Sequence, residues 1–409
     1  MTGVLVTGWS AISAAGVGTA ALAPQAAGAP LPVTAAVPGT RAGQLNGDPQ
    51  AEPLPSPAGY ALAGFDVREH IGRRGTSSYD RVTALAVVCC RDALAAAAGG
   101  TGDIAGTGGS GEDSRRVGVA LGTSLGSFKS TSDYTRETLV QDRPYLVNPM
   151  LFPNTVMNCA AGQVAIRLGL RGVNATIAGG ALAFLNAIRF AANVIARGYA
   201  DVMLAGAAEE FTAHRAWASR LTSPATAAPA GEAAGVFVLT GTEPPGWAPD
   251  RGVARILAVA TGYGPGGGTE ADRALRGCVH RVLRRSGADP ASVGTVFTGE
   301  TVPTGQPVPT GQPVYAGENV GAAENVGAAE AGETGRPEYG PATEALGHKP
   351  RWVAVPRLLG DCGAATGAMA LGLALTAQSE PGGLSLLTGR SPDGAVGAAI
   401  VTGMGRWPQ

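Results

Sequence analysis

The segment from Asn174 to Gly206 tightly restricts how this chain can fold. Asn174-Ala-Thr-Ile-Ala-Gly-Gly-Ala181 predicts a short strand running into a Gly-rich turn. Leu182 to Arg197 predicts an amphipathic helix, with Leu185, Ile188, Val194 and Ile195 near one face. Gly198 ends that helix, and Val202-Met-Leu-Ala-Gly206 predicts a buried strand. Strand, tight turn and helix together hold one side chain above a helix N-terminus, the geometry of a nucleophile elbow. Here the side chain at the turn is Ala181, which has no nucleophilic atom.

Length and charge set the frame around that elbow. A chain of 409 residues suits two fused α/β halves sharing a core. A net charge of −1 argues against nucleic acid or an anionic membrane as partner. Five cysteines, irregularly spaced apart from the adjacent Cys89 and Cys90, form neither a disulfide framework nor a zinc site, so a reducing cytoplasm is expected, with no metal or cofactor. The first residues, MTGVLVTGWSAIS, lack the features of a signal peptide, and no run of about 18 apolar residues predicts a spanning helix.

Other stretches supply the remaining parts. Val4 to Gly8 predicts a strand. Ser77 or Ser78 is expected to cap a helix from Val82 to Ala97, with Asp80 in its first turn. Arg116 to Gly122 predicts a strand leading to Gly122-Thr-Ser-Leu-Gly126, which lacks the Lys-Ser/Thr of a P-loop. The following helix carries Phe128, Thr131 and Tyr134, as core packing or as a pocket wall. The helix from Thr269 to Ser286 places Arg276, Arg281, Arg284 and Arg285 largely on one side, as a solvated face or a surface for an acidic partner. PTGQPV repeats at 303–308 and 309–314, and ENVGAA at 318–323 and 324–329, so 303–338 reads as a flexible insertion. The four histidines are His70, His214, His280 and His348. No Gly-x-Ser-x-Gly elbow supports a Ser/His/Asp triad.

With the elbow, Met157-Asn-Cys-Ala-Ala-Gly162, Gly231-Glu-Ala-Ala-Gly235, Gly360-Asp-Cys-Gly-Ala-Ala-Thr-Gly-Ala368 and Gly394-Ala-Val-Gly397 in view, the chain resembles the β-ketoacyl synthases of the thiolase superfamily. The resemblance implies an α/β, thiolase-like fold: two similar α/β halves, 1–250 and 251–409, forming a five-layered αβαβα core. It places the family's cysteine on Ala181, its first histidine on Thr298 and its second on Asp361. Cys159 falls upstream of the elbow and reads as a small buried side chain rather than a displaced nucleophile.

Loss of all three groups removes the chemistry of a Claisen condensation. That reaction needs a thiolate to carry the acyl chain and two neutral imidazoles to stabilise the enolate formed as malonyl loses CO₂. Alanine forms no thioester, threonine offers one hydrogen bond, and an ionised aspartate repels an enolate. The chain is most similar to chain-length factors, the non-catalytic ketosynthase-like subunits of type II polyketide synthases. The resemblance implies a heterodimer with an active ketosynthase, service to an acyl carrier protein, and no catalytic residue in this chain. It sets Met150 and Leu151 across the subunit interface and Phe128, Thr131 and Tyr134 at the floor of this subunit's cleft. Chain-length factors usually carry Gln at the elbow, so Ala181 puts a priming decarboxylation in doubt. The contrasting expectation is a cysteine-less enzyme on carrier-bound acyl groups, an acyltransferase or hydrolase with Asp361 as base, or a degenerate homodimer.

Overall fold

Val117, Val119 and Leu121 face one way from their strand and Ala120 the other, and both faces are buried. A strand buried on both faces lies between two layers of helices. The computed structural model describes residues 3–29, 31, 59–99, 113–222, 228–244, 252–300, 338–377 and 382–404. Except for Glu338, the repeat-containing stretch 303–338 lies outside them.

The strands are β1 (Val4–Ser13), β2 (Gly16–Val17), β3 (Val117–Thr123), β4 (Asn174–Ala178), β5 (Val202–Glu209), β6 (Ala233–Thr240), β7 (Ala254–Tyr263), β8 (Val293–Thr298), β9 (Arg351–Ala354), β10 (Leu384–Arg390) and β11 (Ala395–Gly403). The helices of eight or more residues are α1 (Arg81–Ala97), α2 (Phe128–Val140), α3 (Cys159–Leu168), α4 (Ala183–Ala196), α5 (Ala213–Thr222), α6 (Gly268–Ser286), α7 (Tyr339–Leu346) and α8 (Thr366–Ala377). The strand order is β4-β3-β5-β6-β1-β7-β11-β10-β8-β9, with β2 beside β1. Leaving β2 aside, each set of five runs outward from the centre as its first, fifth, fourth, second and third strand. The two sets meet where Val4, Leu5 and Val6 of β1 pair antiparallel with Ile256, Arg255 and Ala254 of β7.

Three apolar clusters define the layers. Helices α1 and α3 cover one face of the first five strands through Leu85, Val88, Ala161 and Val164. Helices α6 and α7 cover one face of the second five through Leu275, Val279, Val282 and Ala342. Between them, α4 and α8 pack against both sets, with Phe184, Leu185, Met369 and Leu373 in one continuous core. The result is the αβαβα arrangement of the thiolase-like fold. Helix α8 is apolar around most of its circumference, as a helix with sheet on two sides must be.

Two local expectations are corrected. Asp80, rather than Ser77 or Ser78, caps α1: its carboxylate accepts the Thr83 N–H at 2.8 Å. Arg81, the next residue, is drawn to the buried Glu232 of the Gly-Glu-Ala-Ala-Gly segment at 2.7 Å, which fixes where the helix begins. Cys159 is half-buried at the first position of α3, with its thiol 3.4 Å from Asn154 Oδ1. Among the described residues no helix is long and apolar enough to cross a membrane.

Candidate functional site

The elbow forms as its glycines require. After β4, Gly180 adopts φ 51° and opens a single 3-10 turn, Gly180–Leu182, that runs directly into α4. A left-handed φ is cheap only for glycine, so this residue sets the turn. Ala181 sits in the turn, partly buried against the central core. The second half repeats the device: Gly363, at φ 52°, opens a 3-10 turn, Gly363–Ala365, that runs into α8. The two turns pack together, and the elbow also touches β10, where a Cβ on Gly389 would lie 3.6 Å from the Ala181 carbonyl oxygen.

Thr298 ends β8, next to β10, and is fully buried. Its hydroxyl accepts the Trp352 indole N–H at 3.0 Å, and the Arg357 guanidinium stacks over that indole at 5.8 Å. Just beyond lie two buried carboxyl groups that sequence reasoning missed. Glu338 accepts the Gly299 N–H at 3.0 Å and the Thr388 hydroxyl at 2.7 Å, and its own N–H donates to Glu300 at 2.7 Å. Burial, reinforced by the Glu300 charge, pushes the Glu338 carboxyl up to about 8.

Asp361 precedes the second turn. Its carboxylate accepts the Gly363 N–H at 2.9 Å, which ties it to the turn it introduces. Its backbone bridges to Pro229 and Gly231, and its carbonyl accepts from Arg215 at 3.1 Å. Arg215 also pairs with the buried Glu209 at 3.3 Å. The Glu209 carboxylate accepts the Ser124 N–H and, at 3.3 Å, the Thr123 hydroxyl, while Ser124 Oγ accepts the Ala364 N–H at 3.3 Å. Burial raises the Glu209 pKa against the pull of Arg215. The Gly122–Gly126 turn is thus stitched to the turn after Asp361. The only hint in sequence was two adjacent acids, Glu209 and Glu210, ending an apolar strand.

The expected pocket and interface residues gather on α2 and the segment Pro149–Thr155. Phe128 meets the His214 ring edge-on, the Thr131 hydroxyl donates to the Ser127 and Thr155 carbonyls, and Tyr134 packs on Phe152 at 6.0 Å. Met150 is 74% exposed and Leu151 half-buried. Both line an open cleft of about 490 Å³ with Asp80, Ser127, Lys129 and Glu210, whereas Phe128, Thr131 and Tyr134 are not among its lining residues. Glu210 is buried there beside Asp80, and burial first, then that neighbouring charge, pushes it up to about 8. Phe152, Met157, Ile166 and Phe190 are also exposed, and β4 ends the sheet with Asn174 and Ala178 open to solvent. The arginines of α6 are largely engaged. Arg276 pairs with Glu344, while Arg281 and Arg285 bond the Thr261 and Val259 carbonyls.

Comparisons with known proteins agree with this geometry. Residues 62–234 match the family described as Beta-ketoacyl synthase, N-terminal domain. The chain is 33% identical over 175 residues to 3-oxoacyl-[acyl-carrier-protein] synthase 2 of Vibrio cholerae serotype O1, covering 38% of this chain and 41% of that one. It is 29% identical over 224 residues to the same-named protein of Staphylococcus aureus strain N315, covering 50% and 51%. The chain thus spans about half the length, or less, of these curated relatives. A solved structure, the ishigamide ketosynthase/chain length factor, superposes with a TM-score of 0.75 at 29% identity, covering 99% of this chain and 100% of that one. The chain is thus similar through residues 62–234 to the N-terminal domain of β-ketoacyl synthases, and in its thiolase-like fold over 99% of its length to a ketosynthase/chain length factor.

Proposed function

We propose that this chain is a non-catalytic chain-length factor that pairs with an active ketosynthase and shapes the tunnel in which a carrier-bound polyketide grows. The carrying observation is the elbow: the fold builds the full strand–turn–helix device and presents only the methyl group of Ala181. The other two family positions support the same reading. Thr298 is tied to Trp352, and the Asp361 carboxylate is occupied in bracing the Gly363 turn rather than aimed at a reacting group. A cysteine-less acyltransferase or hydrolase would require that carboxylate to serve as a base. The likeness to a ketosynthase/chain length factor supports the choice of partner.

The surface fits a subunit that works in a pair. Met150, Phe152, Met157, Ile166 and Phe190 put apolar area in water, and β4 is an edge strand of the sheet. Exposed apolar side chains and an unpaired strand edge each favour association. Met150 and Leu151, which line the open cleft, are the residues proposed to reach the partner, and Phe128, Thr131 and Tyr134, which do not line it, are proposed as the packing that holds α2 in place beside it. For the carrier protein we propose the basic stretch around Arg68, Arg73, Arg74 and Arg167, near a second cleft lined by His70 and Arg91.

Co-expression with a ketosynthase, followed by size-exclusion chromatography and a carrier-protein elongation assay, tests the proposal. The expected result is a one-to-one complex that elongates, with each subunit inactive alone. Met150→Glu should abolish the complex while leaving this chain's melting temperature within about 2 °C, as for an exposed site. A stable homodimer that turns over acyl-carrier substrate unaided, and loses that turnover in Asp361→Asn, would overturn the proposal in favour of the enzyme.

A further inference from the structure

The second cleft, of about 310 Å³, lies where three helical elements meet. Val87 and Arg91 come from α1, Arg167 and Leu168 from the last turn of α3, and His70 and Ile71 from the short helical turn Val67–Ile71. Arg91 stands four residues after Val87, so both fall on one face of α1. Three of these lining residues are apolar and three carry nitrogen donors, and no acid lines the cleft among the described residues.

The backbone holds the two guanidinium groups in place. Arg91 donates to the His70 carbonyl, and Arg167 donates to the carbonyl of the next residue, Ile71, and to that of Arg74 at 2.7 Å. Both arginines therefore press on one short stretch of chain from two different helices. Arg91 is also paired with Asp92. These contacts use only part of what the side chains offer. A guanidinium carries five N–H donors, and Arg167 commits two of them and Arg91 three. The His70 ring is set by stacking on Phe65 at 5.1 Å. His70, Arg91 and Arg167 are all half-buried, so a solute can reach them.

We propose that this cleft binds a phosphate monoester, with the phosphoryl oxygens on Arg91, Arg167 and His70 and the organic group on Ile71, Val87 and Leu168. Guanidinium forks suit anionic oxygens held in one plane or tetrahedron, and both forks here are already oriented. A phosphoryl group offers three oxygens to donors on three elements, where a carboxylate offers two. A bare inorganic ion would leave the apolar part of the wall uncovered. Around the cleft, Arg68, Arg73 and Arg74 are exposed on the stretch that forms this wall, against the acids Asp66 and Glu69, which favours arrival of an anion. The cleft borders the surface proposed for the carrier protein, but the inference stands apart from that assignment and from the pairing with a ketosynthase.

Isothermal titration of the full-length chain at low ionic strength with phenyl phosphate, against benzoate and inorganic phosphate, tests the site. The expected result is one-to-one binding of phenyl phosphate, at least about tenfold tighter than either comparison ligand. Arg91→Gln should weaken it by at least about tenfold, as loss of a charge-assisted contact does, with the melting temperature within about 2 °C. His70→Glu puts an acid into the cleft without touching the arginine contacts to the backbone, and should abolish binding. It keeps the test decisive if Arg91→Gln loosens the fold. Absence of binding to the folded chain, benzoate bound as tightly as phenyl phosphate, or an affinity that neither variant changes would each overturn the proposal.

Discussion

In the proposed function Ala181 is the residue on which the loss of chemistry turns, and changing it alone is not expected to restore it. Ala181→Cys puts a thiol on the turn, yet the two positions proposed to match the family's enolate-stabilising histidines stay Thr298 and Asp361. Intact-mass analysis with an acyl-carrier substrate is expected to show at most slow acylation of that variant, and the elongation assay should stay at background. Elongation at more than about a tenth of an active ketosynthase would mean that the missing imidazoles were not limiting, since general acid–base groups are typically worth about 10²–10⁴-fold.

The elements record where sequence reasoning reaches and where it stops. The elbow was legible because Gly179-Gly180 sits between a short strand and a helix of clear amphipathic period, a purely local pattern. The cap of α1 was not, because two serines and an aspartate compete within four residues and a distant partner, Glu232, fixes the register through Arg81. The Glu209–Ser124 and Glu338–Gly299 contacts were likewise hidden, as they join residues 85 and 39 apart along the chain. Strand–helix packing is similarly non-local. A Cβ on Gly122 would lie 2.9 Å from the Ala183 carbonyl carbon, so α4 rests almost on the β3 backbone. Gly122→Ala is expected to cost about 1–3 kcal/mol, as overpacking does, read as a lowered urea midpoint. A neutral effect would show that the helix shifts freely.

At the scale of the whole molecule, stability should depend on pH through its buried acids. Glu210 and Glu338 are both raised from 4.5 to about 8. The folded state therefore holds protons there that the unfolded chain releases, so their contribution is full below about 4.5 and is lost as pH rises toward 8. The expected loss between pH 5 and pH 8 is on the order of a few kcal/mol in all. Denaturant midpoints at four pH values check the slope, and Glu210→Gln should flatten it. A midpoint that rises across this range would contradict the burial of these carboxyls. The same interior that holds these acids also shields Cys89, Cys90, Cys278 and Cys362, whose thiols burial pushes up, and leaves Cys159 half covered. With no nucleophile at the elbow and these thiols covered or raised, the chain is expected to react only slowly with alkylating reagents. Under the proposed pairing, brief iodoacetamide treatment of the assembly is expected to label the active subunit's reactive thiol and leave this one unmarked, so an activity-based probe would count competent sites in a mixture without background from this chain.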